Sequence, residues 1–289
     1  MSQTLRHLIE APEILVAPGV YDALTAAVAE GAGFKSVYLS GAAVAYTRLG
    51  LPDIGLSTMS EMESTLSLIR DRIEIPIVID ADTGFGNALN AARTMKVYER
   101  AGANALQVED QTFPKRCGHL KDKSLIPAAE MAGKIQAMAE TRRSDDTLII
   151  ARTDAIAVEG FEPAMDRAER YVAAGADMLF IEAPRSREEL ETIATRFGGR
   201  VPLMANMVEG GATPIQGKDD LQALGYSFVI FPGGIVRALL RSMENYYDSL
   251  MATGSNAAFA DRMHDLTSLN DKLGTDAILE RGRRFEGGS

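Results

Sequence analysis

The sequence predicts a closed (β/α)8 barrel with extra C-terminal helices, and three observations lead there. Eight short β-branched or apolar runs recur along the chain, stretches with helical spacing separate them, and a glycine-led pattern returns at every second run. Strict alternation of strand and helix calls for a parallel sheet covered by helices. Eight repeats favour closure over an open doubly wound sheet. With 289 residues, 46% hydrophobic and 24% charged, the chain has enough apolar material to bury one large core.

Taken in order, the first run is Ile14-Leu15-Val16-Ala17, followed by helical spacing from Tyr21 to Glu30. Val37-Tyr38-Leu39 comes next, and a helix over Glu61 to Asp71 follows it, opened by a capping-box pattern of Ser60 with Glu63. Ile77-Val78-Ile79 leads to a helix over Ala92 to Arg100, then Leu106-Gln107-Val108 and Leu148-Ile149-Ile150 lead to one over Ala164 to Ala173. Met178-Leu179-Phe180-Ile181 precedes a helix over Arg187 to Arg196, for which Ser186 and Glu189 form a second capping-box pattern. Leu203-Met204-Ala205 and Phe228-Val229-Ile230-Phe231 complete the set. Before each even-numbered strand a glycine (Gly33, Gly102, Gly175, Gly225) ends the helix, and the strand closes about seven positions later. A helix-to-strand turn by itself accounts for glycine there.

Barrel enzymes place their chemistry where strands end. The strand ends carry Ser40, Asp80, Asp82, Glu109, Arg152, Asp154, Glu182, Asn206 and Glu209. Polar groups closing apolar strands are costly unless paired, hydrated or ligated, and several acids on one rim call for a cation. The barrel domain is expected over 1–255, and the helical pattern of 256–289, which a barrel does not need, is expected to contact a neighbouring subunit.

Composition removes several function classes. A formal charge of −10 without long basic runs argues against nucleic acid or an anionic membrane as partner. No apolar run reaches the length of a membrane span, and the first residues show no signal core, so the expected compartment is the cytoplasm. A single cysteine excludes an internal disulfide and suits a reducing compartment. No lysine stands at a strand end, which weakens a Schiff-base mechanism, and no GxSxG elbow, Walker loop or HExxH is present.

The chemistry-bearing runs are few. Asp80-Ala81-Asp82 precedes Thr83-Gly84-Phe85-Gly86, and two carboxylates two apart on a strand face one side, which suits a hard cation such as Mg2+ or Mn2+; a solvated strand end is the competing account. Cys117 lies in Lys115-Arg116-Cys117-Gly118-His119, where neighbouring cations favour a thiolate, although free cysteines commonly serve as small buried hydrophobes. Arg152 offers a fork for a carboxylate, or else pairs with an acid such as Glu182. Pro232-Gly233-Gly234 offers backbone amides at a helix start, and Arg237, one turn on, suits a second carboxylate or a surface pair.

These residues together resemble the isocitrate lyase and phosphoenolpyruvate mutase superfamily, in its methylisocitrate lyase and 2,3-dimethylmalate lyase branch. The resemblance runs from about Leu15 to Arg237. It rests on Tyr38-Leu39-Ser40-Gly41-Ala42, Gly50-Leu51-Pro52-Asp53, the run Asp80 to Gly86, Glu109-Asp110-Gln111, Lys115 to His119, Ala151 to Ala155, Ala205-Asn206 and Gly211-Ala212-Thr213-Pro214. It implies a magnesium-dependent cleavage of a 2-hydroxy di- or tricarboxylate that releases a 2-oxo acid such as pyruvate. Asp82 would hold the metal directly, with Asp80 and Glu109 through water. Cys117 would act as the acid, within a catalytic set of Lys115, Arg116, His119 and Asp53. Tyr38, Ser40, Gly41, Ala42, Gly118, Arg152, Glu182, Asn206, Thr213 and Arg237 would surround the substrate, and the segment from Lys115 to Lys123 would close as a lid. The resemblance also implies a homotetramer with exchanged terminal helices. Rival readings on the same scaffold are an oxaloacetate decarboxylase or hydrolase and a phosphonopyruvate-type enzyme, the latter disfavoured by the cysteine. A silent dicarboxylate-binding protein is the rival of another class.

Overall fold

A computed structural model describes residues 4–118, 122–211, 213–214 and 217–286. The strands are β1 (Leu15–Val20), β2 (Val37–Leu39), β3 (Ile77–Asp80), β4 (Ala105–Glu109), β5 (Leu148–Thr153), β6 (Met178–Ile181), β7 (Leu203–Asn206) and β8 (Phe228–Phe231). All eight pair in parallel in chain order, and β8 returns to β1 through Leu15 opposite Phe228, so the sheet closes. The expected barrel is therefore the observed one.

The short helix α1 (Leu5–Ile9) contributes Leu5, Leu8 and Ile9 to an inner cluster with Leu15, Val78, Ile150, Phe180 and Phe228. These inward-pointing residues fill the barrel, leaving its C-terminal mouth to the polar strand ends. A second, larger cluster lies between the strands and the helices α2 (Ala23–Gly31), α4 (Met59–Arg70), α5 (Ala88–Arg100), α6 (Ala128–Thr141), α8 (Phe161–Ala173), α9 (Arg187–Phe197) and α10 (Lys218–Leu224). The one-turn helices α3 (Gly41–Val44) and α7 (Ala155–Val158) stand directly after β2 and β5.

The four repeated glycines have a local cause. Their φ angles are +93° (Gly33), +95° (Gly102), +104° (Gly175) and +97° (Gly225), a region that penalises any Cβ. The first capping box is displaced from its expected place: Thr58 and Glu61 form it, not Ser60 and Glu63, with Glu61 Oε2 accepting from Thr58 N at 2.8 Å. Starting two residues earlier brings Met59 into α4, where its carbonyl accepts from Tyr98 Oη at 3.3 Å. Ser186 caps α9 as expected, but the Glu189 carboxylate accepts from Arg185 N, one residue before the cap.

The chain divides into two compact units, Met1–Val236 and Arg237–Ser289. The division falls near the start of α11 (Gly234–Thr253), whereas the boundary expected at residue 255 falls just past its end. In the second unit, α11 is followed by a 3-10 turn (Asn256–Arg262), α12 (Leu266–Leu273) and α13 (Thr275–Phe285). Phe259 packs edge-on to Tyr246 at 5.5 Å between centroids and is that unit's one buried residue among those described.

Candidate active site

β3 and β4 are neighbours, as are β4 and β5, and in the second pair Glu109 lies opposite Arg152. The register therefore delivers carboxylates and a guanidinium to one mouth. Asp80 is the last residue of β3, and Asp82 lies past its end at φ +45°, so the pair converges through a left-handed turn rather than through continued strand alternation. Asp80 Oδ1 accepts from Asp82 N at 3.1 Å and from Gln107 Nε2 at 3.4 Å, while Gln107 Oε1 accepts from Tyr38 Oη at 2.6 Å. Tyr38 thus stands inside the barrel as a prop for Asp80 through Gln107. The signal for Gln107 was present in the sequence as a polar residue inside an apolar strand.

Gly41 lies against both aspartates: a Cβ there would meet Asp80 Oδ2 at 3.0 Å and Asp82 Oδ1 at 3.5 Å. Ser40 caps α3 by accepting from Ala43 N, so its hydroxyl has a structural task. The amides of Gly41 and Ala42 fall in the first turn of α3, where no carbonyl four residues back exists.

Lys115 is 4% exposed, and its ammonium pairs with Asp53 and lies 3.1 Å from Asp82 Oδ1. That charge serves the two aspartates, a different use from the thiolate stabilisation read from its place beside Cys117. Arg116 pairs with exposed Asp122 at 3.6 Å. Cys117 is half-buried and its amide donates to Asp53 O at 3.2 Å. Gln111 ties the same segment to the rim, donating from Nε2 to Arg116 O at 2.8 Å and to Glu109 Oε1 at 3.0 Å. Gly118 lies so close to Arg152 Nη2 that a Cβ there would overlap it, and that Cβ would stand 3.2 Å from Glu182 Cδ. His119 lies outside the described residues.

Arg152 donates to Asp154 from Nε at 2.9 Å and from Nη2 at 3.1 Å, and lies 3.3 Å from Glu109 and 3.5 Å from Glu182. The pairing of Arg152 with Glu182 weighed from the sequence is present here, alongside closer bonds to Asp154. Asn206 Nδ2 donates to Glu182 Oε2 at 3.2 Å, and its Oδ1 is buried without a hydrogen-bond partner among the described residues. Glu182, Asn206 and Thr213 line one small pocket with Ala183 and Tyr226. Arg237 belongs to α11 in the second unit.

Sequence reasoning missed the support behind this rim. Buried Asp110 accepts from Thr153 Oγ1 and Tyr171 Oη at 2.7 Å each, from Asp154 N at 3.0 Å and from Arg167 Nη1 at 3.3 Å. It pins β4 to β5 directly beneath Arg152. The sequence signal was slight: an aspartate after a strand and an arginine on an apolar helix face.

The charge balance says what the mouth is built to receive. Among the described residues, the carboxylates of Asp53, Asp80, Asp82, Glu109, Asp154 and Glu182 meet the cations Lys115, Lys123 and Arg152 in a water-poor setting. Burial, then the nearby Asp80 and Asp53, push Asp82 up to about 7 despite Lys115. Burial foremost also holds Glu109 well above the carboxylate range, while Arg152 opposes the shift. Asp154 behaves oppositely: burial raises it, but Arg152 and Lys123 outweigh burial and hold it at about 2. A dication beside Asp80, Asp82 and Glu109 would offset the excess of acids. Their oxygens are the donors that Mg2+ prefers, and Asp82 Oδ1, buried 3.1 Å from the Lys115 ammonium, has no well-directed hydrogen bond among the described residues. Among the described residues no three His, Cys, Asp or Glu side chains are grouped to hold an ion all together.

Comparison with known proteins agrees with this geometry. The family model for phosphoenolpyruvate phosphomutase matches residues 5–251. The chain is 47% identical to a 2-methylisocitrate lyase of Aeropyrum pernix, covering 93% of this chain and 86% of that one. It is 40% identical to a 2,3-dimethylmalate lyase of Eubacterium barkeri, covering 96% and 95%. A crystal structure of 2,3-dimethylmalate lyase superposes with a TM-score of 0.91 at 33% identity, over 98% of this chain and 96% of that one. A phosphonopyruvate hydrolase solved with oxalate and Mg2+ matches with a TM-score of 0.87 at 28% identity, over 97% of each chain.

Proposed function

The chain belongs to the phosphoenolpyruvate mutase and isocitrate lyase superfamily, and from that premise we propose that it is a magnesium-dependent carbon–carbon lyase. Its substrate class is a 2-hydroxy di- or tricarboxylate of the 2-methylisocitrate or 2,3-dimethylmalate type, cleaved to pyruvate and a second carboxylate. The observation that carries this reading is the clamping of the Cys117 segment on the acidic rim from both sides, by Lys115 to Asp53 and Asp82 and by Gly118 against Arg152.

In the reaction a carboxylate of the acidic rim takes the proton of the substrate's 2-hydroxyl, the hydroxyl oxygen becomes the carbonyl of pyruvate, and the bond from C2 to C3 breaks. The electron pair goes to the departing fragment, next to its carboxylate. Cys117 delivers the thiol proton to that carbon, and the thiolate left behind is re-protonated before the next turnover. Mg2+, or Mn2+ in its place, held by Asp82 directly and by Asp80 and Glu109 through water, would supply Lewis-acid stabilisation to the oxygens of the 2-oxo half. Arg152 and the amides of Gly41 and Ala42 hold the carboxylate of that half. Asn206 and Thr213 face the remainder of the substrate. The lid excludes water while the carbanion exists. Lys115 holds Asp53 and Asp82 in register, so its contribution is positional.

The deciding experiment is an assay panel of 2-methylisocitrate, 2,3-dimethylmalate, citramalate, isocitrate, oxaloacetate and phosphonopyruvate, with product identification. Pyruvate from a substituted malate or from methylisocitrate, abolished by chelator, is expected. Turnover of oxaloacetate or phosphonopyruvate alone refutes the lyase assignment.

The same reading includes assembly as a homotetramer in the cytoplasm, without nucleic acid or membrane partners. Leu240, Met243, Tyr247 and Met251 form an exposed apolar stripe on α11, and Leu266, Ile278 and Phe285 are exposed further on, which supports burial against other subunits. No helix among the described residues is long and apolar enough to cross a membrane. Light scattering that returns a monomer mass at micromolar concentration rules the assembly out.

A further inference from the structure

We propose that Lys123 is the latch of the lid, a positioning residue that holds the Cys117 segment shut by joining the lid backbone to the carboxylate that fixes Arg152. Lys123 Nζ donates to Gly118 O at 2.6 Å and to Asp154 Oδ1 at 2.7 Å. Its side chain is 2% exposed although the described residues next to it, Asp122 and Ser124, belong to no helix or strand. An ammonium so enclosed has exchanged water for these two acceptors, so breaking either contact exposes the other.

Both acceptors are themselves fixed to the site. Asp154 has no exposure, and its Oδ1 is shared between Lys123 and Arg152 Nη2. Gly118 lies against that same Nη2 with no room for a Cβ. The lid therefore seats only when Arg152 is drawn back between Asp154, Glu109 and Glu182, and Lys123 then closes over the result. A carboxylate arriving at Arg152 adds negative charge beside Asp154 and strengthens the pull on the lysine, which couples closure to occupancy. The ion pair between Arg116 and Asp122 is largely exposed and holds little. The latch deepens the lyase reading and takes its catalytic consequence from it.

Cys117 is the chain's single cysteine, so its alkylation by iodoacetamide is countable by intact mass. In the ligand-free protein, Lys123→Met should alkylate at least about tenfold faster than wild type at an unchanged melting temperature, and Lys123→Arg should return the rate to within about threefold. The direction discriminates between causes, because loss of a nearby cation alone weakens the thiolate and slows the reaction. A Lys123→Met rate equal to or below that of wild type overturns the latch. If that variant melts early, Lys123→Gln, which keeps a donor for Gly118 O but no charge for Asp154, must show the same acceleration or the proposal fails. In turnover, Lys123→Met should lose about 10- to 100-fold in kcat/KM with most of it regained in Lys123→Arg. Absence of product from wild type on every substituted malate would sink the lyase reading while leaving the alkylation contrast to judge the latch.

Discussion

Gly118→Ala is the smallest perturbation that tests whether the lid works in the closed geometry described above. Gly118 is not among the glycines with positive φ, so its backbone does not require glycine and an alanine there brings no conformational strain of its own. The effect is steric, because the added methyl would overlap Arg152 Nη2. A flexible side chain normally yields to such a contact, but this guanidinium is bound to Asp154 through two hydrogen bonds of 2.9 and 3.1 Å and sits between Glu109 and Glu182. To give way it must release one charge-assisted hydrogen bond, a loss of about 1.5–3 kcal/mol. At roughly 2 kcal/mol the expected fall in kcat/KM is about 30-fold. If Arg152 holds its place the lid stays open instead, and the same kinetic loss follows from the displaced thiol. Position 118 is half-exposed and outside both apolar clusters, so no core packing is lost, and a cost of roughly 2 kcal/mol should lower the melting temperature by at most about 4–8 °C. Steady-state release of pyruvate, alongside calorimetry, measures both quantities. A Gly118→Ala enzyme within threefold of wild type refutes the closed-lid geometry as the working state.

Three further outcomes follow from the assigned roles. Cys117→Ser should lower kcat about 10²- to 10⁴-fold, the usual range for a general acid, while oxalate still binds in the presence of Mg2+; normal turnover removes the thiol from the mechanism. Asp82→Ala should abolish metal-dependent oxalate binding by calorimetry together with activity, and full activity of wild type in excess chelator would refute the metal assignment. Tyr171→Phe deletes the 2.7 Å hydrogen bond to buried Asp110 and should cost about 1.5–3 kcal/mol in denaturant unfolding, with kcat little changed. An unaltered unfolding midpoint shows that Thr153, Arg167 and the Asp154 amide satisfy Asp110 unaided.

The barrel was legible because its signals are local. A strand buried on both faces must be a continuous apolar run, and Gly33, Gly102, Gly175 and Gly225 mark turns that only a left-handed residue makes comfortably. The α4 start was misplaced because two overlapping frames, Thr58 with Glu61 and Ser60 with Glu63, satisfy the same capping pattern, and a tertiary contact from Tyr98 accompanies the first. In the site, the acids at the ends of β3 and β4 were legible as polar residues closing apolar strands. Their partners were not, since pairings such as Lys115 with Asp53, Lys123 with Asp154 and Arg167 with Asp110 join segments from 31 to 62 positions apart. Asp53 entered only through the resemblance, because one acid in a loop carries no periodicity that marks it.

The lid also shows why local composition misread one charge while placing the right segment. Lys115 and Cys117 are adjacent enough in sequence to suggest that the ammonium serves the thiol, yet desolvation decides otherwise. Asp82 and Asp53 are fixed and buried, and an ammonium enclosed beside them is held well above its usual range by their charges although burial alone would lower it. The strongest available anions thus capture Lys115, and three residues on, Gly118 meets Arg152 and Glu182. Cys117 is positioned by neighbours that are anchored to two different parts of the rim, together with its own amide bond to Asp53 O. A thiol held in this way can approach the reacting carbon when the segment closes and withdraw when it opens. Fixing the flanks of the thiol is what a proton donor on a moving lid requires.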